Sequence, residues 1–253
     1  MTSSVLDRYF RSLLDIEGFA SMDDSLNGLQ VDNDGRKISK VAFAVDACLE
    51  TMERAAGSGA GLLFVHHGLF WGKPLAVKGA FRKRMAFLME TGLAVYAVHL
   101  PLDQHPELGN NAALADLLGM VEIQPFGDYH GRKIGYKGVL KDKLTIEAAV
   151  KRISFMGRPA PVCLPFGPRE SATCAVVSGG AAFEALQAID EGMDLYVTGE
   201  ASHSVYHHAL EGKLNLIAGG HYSTEVWGVR RVMAKLVEDT GLEAEFLDSP
   251  TGL

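Results

Sequence analysis

The chain has 253 residues, of which 47% are hydrophobic and 22% charged, and its mean hydropathy is +0.08. These values are typical of a soluble globular protein with one large α/β domain or two lobes, and no run reaches the ~20 apolar residues of a membrane span. The net charge of −7 disfavours nucleic acid as a partner, although residues 82–84 (RKR) form a local basic patch.

The N-terminal segment predicts an amphipathic helix that packs on the body of the protein. Apolar residues recur there with the helical period of 3.6, at Val5, Leu6, Tyr9, Phe10, Leu13 and Leu14. Charged residues interrupt this apolar pattern, so we do not expect a secretory signal. The three cysteines are widely spaced and form no CxxC pair, which favours reduced thiols in a cytoplasmic protein: Cys48, Cys163 and Cys174.

Apolar runs then alternate with helical patterns. The first half predicts strands at 40–46, 61–67 and 94–100, and helices at 49–59, 80–92 and 107–119. Strands separated by helices of this length are typical of parallel βαβ units.

The alternation is interrupted after Gly119. Residues 125–140 are rich in glycine and predict a loop plus a strand, residues 144–157 predict a helix, and residues 158–170 are broken by prolines. It then resumes, with strands expected at 172–180, 194–200, 213–220 and 243–248 and helices between them. We therefore expect two similar α/β lobes, 1–125 and 126–253, each with a three-layer arrangement of helices on the faces of a sheet.

Possible metal ligands follow three of the predicted strands. They are His66 and His67; then His99, Asp103 and His105; and then His221 and Glu225, which are four residues apart and share one face if a helix begins at His221. Each group alone is a weak signal, because a histidine at a strand end is more often a hydrogen-bonded structural residue. Together, three groups at strand ends favour a metal site. Gly68 allows a bend that turns both adjacent rings to one side.

Two carboxylates at strand ends have alternative interpretations. Asp46 ends the first strand and either caps the following helix or has a catalytic role. Glu200 either acts as an acid or base beside a metal-bound water, orients a ligand, or stabilises the start of a helix.

Other chemistries lack their motifs. The chain has no GxSxG elbow, no GxxxxGK[ST] loop and no GxGxxG after a strand, and no histidine stands at a telling spacing from a cysteine. Residues 178–186 (SGGAAFEAL) predict a tight strand-to-helix turn rather than a phosphate cradle.

Five ordered motifs resemble those of the NIF-three-like family, also called GTP cyclohydrolase 1 type 2 homologues. They are SLNGLQVDN (25–33), FVHHGLFWG (64–72), VHLPLDQHPELGNNAALADLLG (98–119), DLYVTGE (194–200) and AGGHYSTE (218–225). The resemblance implies a two-lobed α/β fold, a dinuclear metal centre in the cleft between the lobes, and a hexameric toroid. Many relatives have a threonine where this chain has Leu100. This chain therefore lacks the threonine hydroxyl at that position but loses no implied metal ligand.

Position by position, the resemblance implies these metal ligands: His66, His67, Asp103, His221 and Glu225. Without thiolates, such a set suits Zn, Fe, Mn or Mg. The leading hypothesis is hydrolysis of a small anionic or nucleotide-like substrate by a metal-activated water, with Glu200 as the proton shuttle. The alternatives are a non-catalytic metal-binding or regulatory oligomer, and a scaffold that binds partner proteins.

Overall fold

The computed structural model describes residues 1–253. The helices are α1 (Ser3–Leu13), α2 (Ile16–Phe19), α3 (Leu49–Gly57), α4 (Gly79–Thr91), α5 (Leu100–Gln104), α6 (Asn110–Leu118), α7 (Ile146–Ile153), α8 (Ala185–Asp190), α9 (Tyr206–Glu211) and α10 (His221–Thr240). The strands are β1 (Gly28–Val31), β2 (Lys40–Asp46), β3 (Leu62–His67), β4 (Ala94–Ala97), β5 (Met120–Tyr129), β6 (Arg132–Leu144), β7 (Val162–Pro165), β8 (Ser171–Val176), β9 (Leu195–Thr198), β10 (Asn215–Ala218) and β11 (Glu243–Phe246).

The chain divides into two compact units. The first contains residues 1–102 and 229–249, and the second contains residues 103–228 and 250–253. The predicted division after residue 125 differs from this one in two places. Residues 103–125 belong to the second unit, where α6 contacts β6 and α7. Residues 229–249 belong to the first unit, where β11 pairs with β2.

The first unit contains a five-stranded sheet in the order β1-β4-β3-β2-β11. Strand β1 is antiparallel to β4 and the other pairs are parallel. The central strands are apolar except at their ends, because both faces of a parallel sheet are covered. On one face Phe64 stacks on Tyr96, and both rings contact Phe10 of α1 at 4.9 Å between centroids. The N-terminal amphipathic helix is thus confirmed.

The second unit contains a six-stranded sheet in the order β5-β6-β8-β9-β10-β7. Strands β8, β9 and β10 are parallel, and β5, β6 and β7 run antiparallel to their neighbours. Helices flank both sheets, which confirms the α/β class. No helix in either unit has the length and apolar character needed to cross a membrane.

The glycine-rich segment 125–140 is a correction to the sequence interpretation. It lies in a long β5–β6 hairpin, whose turn contains His130 at φ +51° and Gly131 at φ +85°. A Cβ atom at Gly135 would lie 2.2 Å from the carbonyl oxygen of Val176. Gly135 therefore permits the close approach of β6 to β8, and glycine at this position does not indicate a loop.

Two further strands were not predicted. Strand β7 lies within the proline-broken segment, at an edge of its sheet where the missing N–H of Pro165 is tolerated. Strand β1 has only four residues and forms an antiparallel edge on a sheet whose other strand pairs are parallel.

Replacement of the central aromatic residue of the first unit should be severe. Phe64 is fully buried, so we expect Phe64→Ala to lower the free energy of unfolding by about 3–5 kcal/mol through lost contacts and a cavity. Urea denaturation with chelator present measures this change. Val77→Ala, at a position 60% exposed, is the control and should change it by less than about 0.5 kcal/mol. Equal effects of the two variants would contradict the assignment of the core.

Candidate metal centre

Three histidines of the first unit lie together at the carboxyl ends of neighbouring strands. His66 and His67 end β3, and His99 follows β4 by two residues. The ring centroid of His66 lies 4.7 Å from that of His67 and 5.1 Å from that of His99. One ligand atom of each residue lies within 4.8 Å of the other two. This group could hold a metal ion.

The Nδ1 atoms of the adjacent pair are both held by oxygen atoms. His66 Nδ1 lies 2.9 Å from the carbonyl oxygen of Val98, and His67 Nδ1 lies 2.9 Å from Oδ1 of Asp46. A carbonyl oxygen only accepts, so Nδ1 of His66 carries a proton and Nε2 is the nitrogen able to bind a cation. Metal-binding histidines usually donate their second N–H in this way.

His99 is held in the same manner by a buried carboxylate. Its Nδ1 atom lies 2.8 Å from Oδ1 of Asp23, whose side chain is 1% exposed. Burial acts to raise the pKa of Asp23, but the hydrogen bond and charge of His99, with donors from Asn27 and Ser25, hold this pKa below its ordinary value. Asp23 is therefore an ionised partner for the imidazole.

The arrangement of the adjacent pair depends on close packing after β3. A Cβ atom at Gly68 would lie 2.4 Å from the side chain of Gln30 and 2.6 Å from Cβ of Ala97. Gly68 is thus required for space, whereas the sequence suggested a need for backbone freedom. The indole of Trp71 then turns back, with Nε1 donating to the Gly68 carbonyl, and packs edge-on against His99.

The second unit contains the predicted i, i+4 pair. Helix α10 begins at His221, and His221 Nε2 lies 3.2 Å from Oε1 of Glu225. Two ligands of one zinc ion, each about 2.0–2.2 Å from it, lie roughly 3.0–3.5 Å apart. The separation of these two atoms therefore fits joint coordination of a divalent cation.

Both nitrogens of His221 face carboxylates. Its Nδ1 atom lies 2.5 Å from Oε1 of Glu200, which follows β9. Burial lowers the pKa of His221, but the hydrogen bonds and charges of Glu225 and Glu200 outweigh this effect and raise the pKa to about 9. Glu200 thus orients His221, which is one of the roles that the sequence left open.

Asp103 lies in α5 and is 6% exposed. Its Oδ1 atom accepts hydrogen bonds from Nδ2 of Asn110 and from Oγ of Ser178, both at 2.9 Å. These donors fix the orientation of the carboxylate. Asn110 lies within the motif at 98–119 and Ser178 begins the segment 178–186, but neither pattern predicted this contact.

The turn that follows β8 lies against Glu225. Gly179 has φ +67°, and a Cβ atom there would lie 2.3 Å from Oε1 of Glu225. The carbonyl oxygen of Gly179 accepts from the backbone N–H groups of Gly199 and Glu200 at 2.9 and 3.1 Å. These contacts favour the tight-turn interpretation of residues 178–186.

His105 and Asp46 are the remaining candidates, and their contacts differ in kind. His105 Nδ1 accepts hydrogen bonds from the backbone of Glu107 and Leu108, so it stabilises a turn. Helix α3 is capped by Cys48 with Thr51, while the carboxylate of Asp46 contacts His67. The capping interpretation of Asp46 is therefore wrong, and its position beside a candidate ligand supports the site.

The fold and these clusters define an α/β protein of two sheets with histidine and carboxylate groups that could hold a metal ion. The chain belongs to the DUF34/NIF3 (NGG1p interacting factor 3) family, whose model matches residues 1–251.

Relatives match along nearly the whole chain. A GTP cyclohydrolase 1 type 2 homolog of Treponema pallidum is 41% identical, with all of both chains covered, and one of Archaeoglobus fulgidus is 42% identical, with 97% of each covered. The crystal structure of TTHA1606 from Thermus thermophilus is similar, with a TM-score of 0.90, 38% identity and full coverage of both chains.

The turn beside Glu225 yields a prediction with a neighbouring control. Gly179→Ala should lower the free energy of unfolding by about 1–3 kcal/mol, because an L side chain is strained at this φ and collides with Glu225. In Gly180→Ala the new Cβ would meet His221 Cε1 at 3.6 Å, an ordinary contact. Calorimetry of both variants measures the difference, and equal melting temperatures would contradict the geometry of this turn.

Proposed function

We propose that this chain is a metal-dependent hydrolase that acts on a small anionic or nucleotide-like substrate. Two divalent ions would be bound by these ligands: His66, His67, Asp103, His221 and Glu225. The observation that carries the proposal is the oxygen partner at Nδ1 of each strand-end histidine in both units. Such partners fix ring orientation and increase the basicity of the ligand nitrogen.

The donor set defines the chemistry. Imidazole and carboxylate ligands without thiolate suit Zn, Fe, Mn or Mg. Bound as a pair, such ions supply an activated water at neutral pH and stabilise the developing negative charge. The protein's own groups orient the ligands, and the partners of Asp23 hold the pKa of that carboxyl below its ordinary value.

Glu200 is the candidate proton shuttle. Its side chain is 52% exposed while Oε1 contacts His221. A carboxylate in this position can both orient a ligand and exchange a proton with solvent.

A cleft in the first unit offers room for a substrate. It has a volume of about 550 Å³, and its lining includes Asp23 and Trp71, which both contact His99. The relatives' name, GTP cyclohydrolase 1 type 2 homolog, suggests hydrolytic opening of a purine ring as one reaction to test. The family resemblance implies a hexameric toroid, so we also propose that the protein assembles as a homohexamer.

Metal analysis tests the ligand assignment. Purified protein reconstituted with Zn²⁺ should hold close to two ions per chain, and Asp103→Ala should lose at least one because a buried carboxylate ligand is removed. The control is Asp190→Ala, an aspartate at the end of α8, which should bind as the wild type does. Absence of bound metal in native and reconstituted protein would refute the site.

A hydrolase screen tests the activity. The wild type should hydrolyse at least one nucleotide or related small anion, and Asp103→Ala should lose this activity. A protein that holds two ions and turns over nothing in a broad screen would instead be a metal store or regulatory oligomer.

Substitution of Glu200 separates its two roles. If it serves as a proton shuttle, Glu200→Gln should reduce kcat about 10²–10⁴-fold while metal content stays near that of the wild type. If it only orients His221, the same variant should instead lower metal affinity, measured by competition with a chromogenic chelator.

A further inference from the structure

Two adjacent asparagines in the second unit are completely buried. Asn110 and Asn111 begin α6 and are both 0% exposed. A buried amide is costly unless its donors and acceptor are satisfied. Neither residue is among the proposed ligands, so their partners explain why polar groups are placed there.

Asn110 connects Asp103 to α10. Its Nδ2 atom donates to Oδ1 of Asp103 at 2.9 Å, and its Oδ1 atom accepts from the backbone N–H of Gly228 at 2.7 Å. A Cβ atom at Gly228 would lie 2.6 Å from Oδ1 of Asn110. Glycine at this position therefore allows the amide to reach the backbone of the helix.

The contact with Gly228 lies on the side of α10 that bears a proposed ligand. Gly228 follows Glu225 by three residues, and residues three apart lie on one face of a helix. A single amide thus holds the carboxylate of Asp103 at a set distance from the helix that carries His221 and Glu225.

Asn111 supports a second connection to the same carboxylate oxygen. Its Oδ1 atom accepts from the backbone N–H of Ser178 at 2.7 Å, and its Nδ2 atom donates to the carbonyl oxygen of Ile134 at 2.8 Å. Ser178, fixed in this way, donates its hydroxyl to Oδ1 of Asp103. Two independent donors therefore converge on one oxygen atom.

We propose that Asn110 is a positioning residue for metal binding. It sets the separation between Asp103 and the proposed ligands on α10, and Ser178 supplies the second hydrogen bond to Asp103. This inference rests on the proposed function. Position 110 needs an amide because one side chain must donate to a carboxylate and accept from a backbone N–H at once. Aspartate lacks the donor, and an apolar side chain lacks both groups.

The test compares Asn110→Ala with a matched buried asparagine. Asn215 lies at the start of β10, is 2% exposed, and bonds to Gly167, Pro168 and Ser171, none of them a proposed ligand. Zn²⁺ affinity is measured by chelator competition, and the visible absorption of Co²⁺-loaded protein reports ligand geometry. Melting temperatures of the metal-free proteins measure the purely structural loss.

We expect both alanine variants to melt at lower temperature, but only Asn110→Ala to bind Zn²⁺ about 10–100-fold more weakly and to shift the Co²⁺ absorption. If Asn110→Ala does not fold, Ser178→Ala removes one donor from Asp103 and should weaken Zn²⁺ binding in the same direction. The positioning role alone would be overturned if a folded Asn110→Ala kept the wild-type Zn²⁺ affinity and Co²⁺ absorption. If Ser178→Ala has to replace that variant, the same result in Ser178→Ala would overturn it. A wild type that binds no Zn²⁺ or Co²⁺ would overturn the proposed function itself.

Discussion

The hydrogen bond from a histidine Nδ1 atom to an oxygen of a neighbouring element is the constraint on which the first unit depends. Strand β3 lies between β4 and β2. His66 contacts the carbonyl oxygen of Val98, just after β4, and His67 contacts Asp46, the last residue of β2. Each of two adjacent histidines therefore has a partner on a different side of the same strand. This arrangement requires β3 to be an interior strand.

The second unit follows the same rule with different strands. Glu200 follows β9, His221 follows β10, and these strands are parallel neighbours. Their carboxyl ends meet at one edge of the sheet, where side chains from successive strands come within hydrogen-bond distance. Parallel pairing thus brings together residues 21 positions apart without a dedicated loop.

The sequence predicts the candidate metal ligands better than it predicts the residues that hold those ligands in place. His221 and Glu225 are predictable because helical spacing alone places them on one face, and strand ends are recognisable from apolar runs. The partner of His67 is not predictable, because Asp46 reaches it through a strand pairing and equally suits a helix cap from its position in the chain. The same limit applies to Asn110, whose two partners lie 7 and 118 residues away.

The glycine-rich hairpin shows a second limit. Glycine is compatible with a turn, a bulge or close strand packing, and composition does not separate these cases. In residues 125–140 two of these demands are met within one pair of strands: Gly131 lies in the turn, while Gly135 faces the backbone of β8. Only the identity of the neighbouring strand decides between them.

The buried amides bear on why the core of the second unit is polar at this point. Replacing hydrogen-bonded buried polar groups by apolar groups of similar shape is often neutral or stabilising. Stability alone therefore does not account for two fully buried asparagines beside Asp103. A carboxylate that is 6% exposed and is to bind a cation, however, needs donors that hold it in one orientation. Neutral amide and hydroxyl donors meet this need, whereas an arginine or lysine would occupy the carboxylate that a cation must reach.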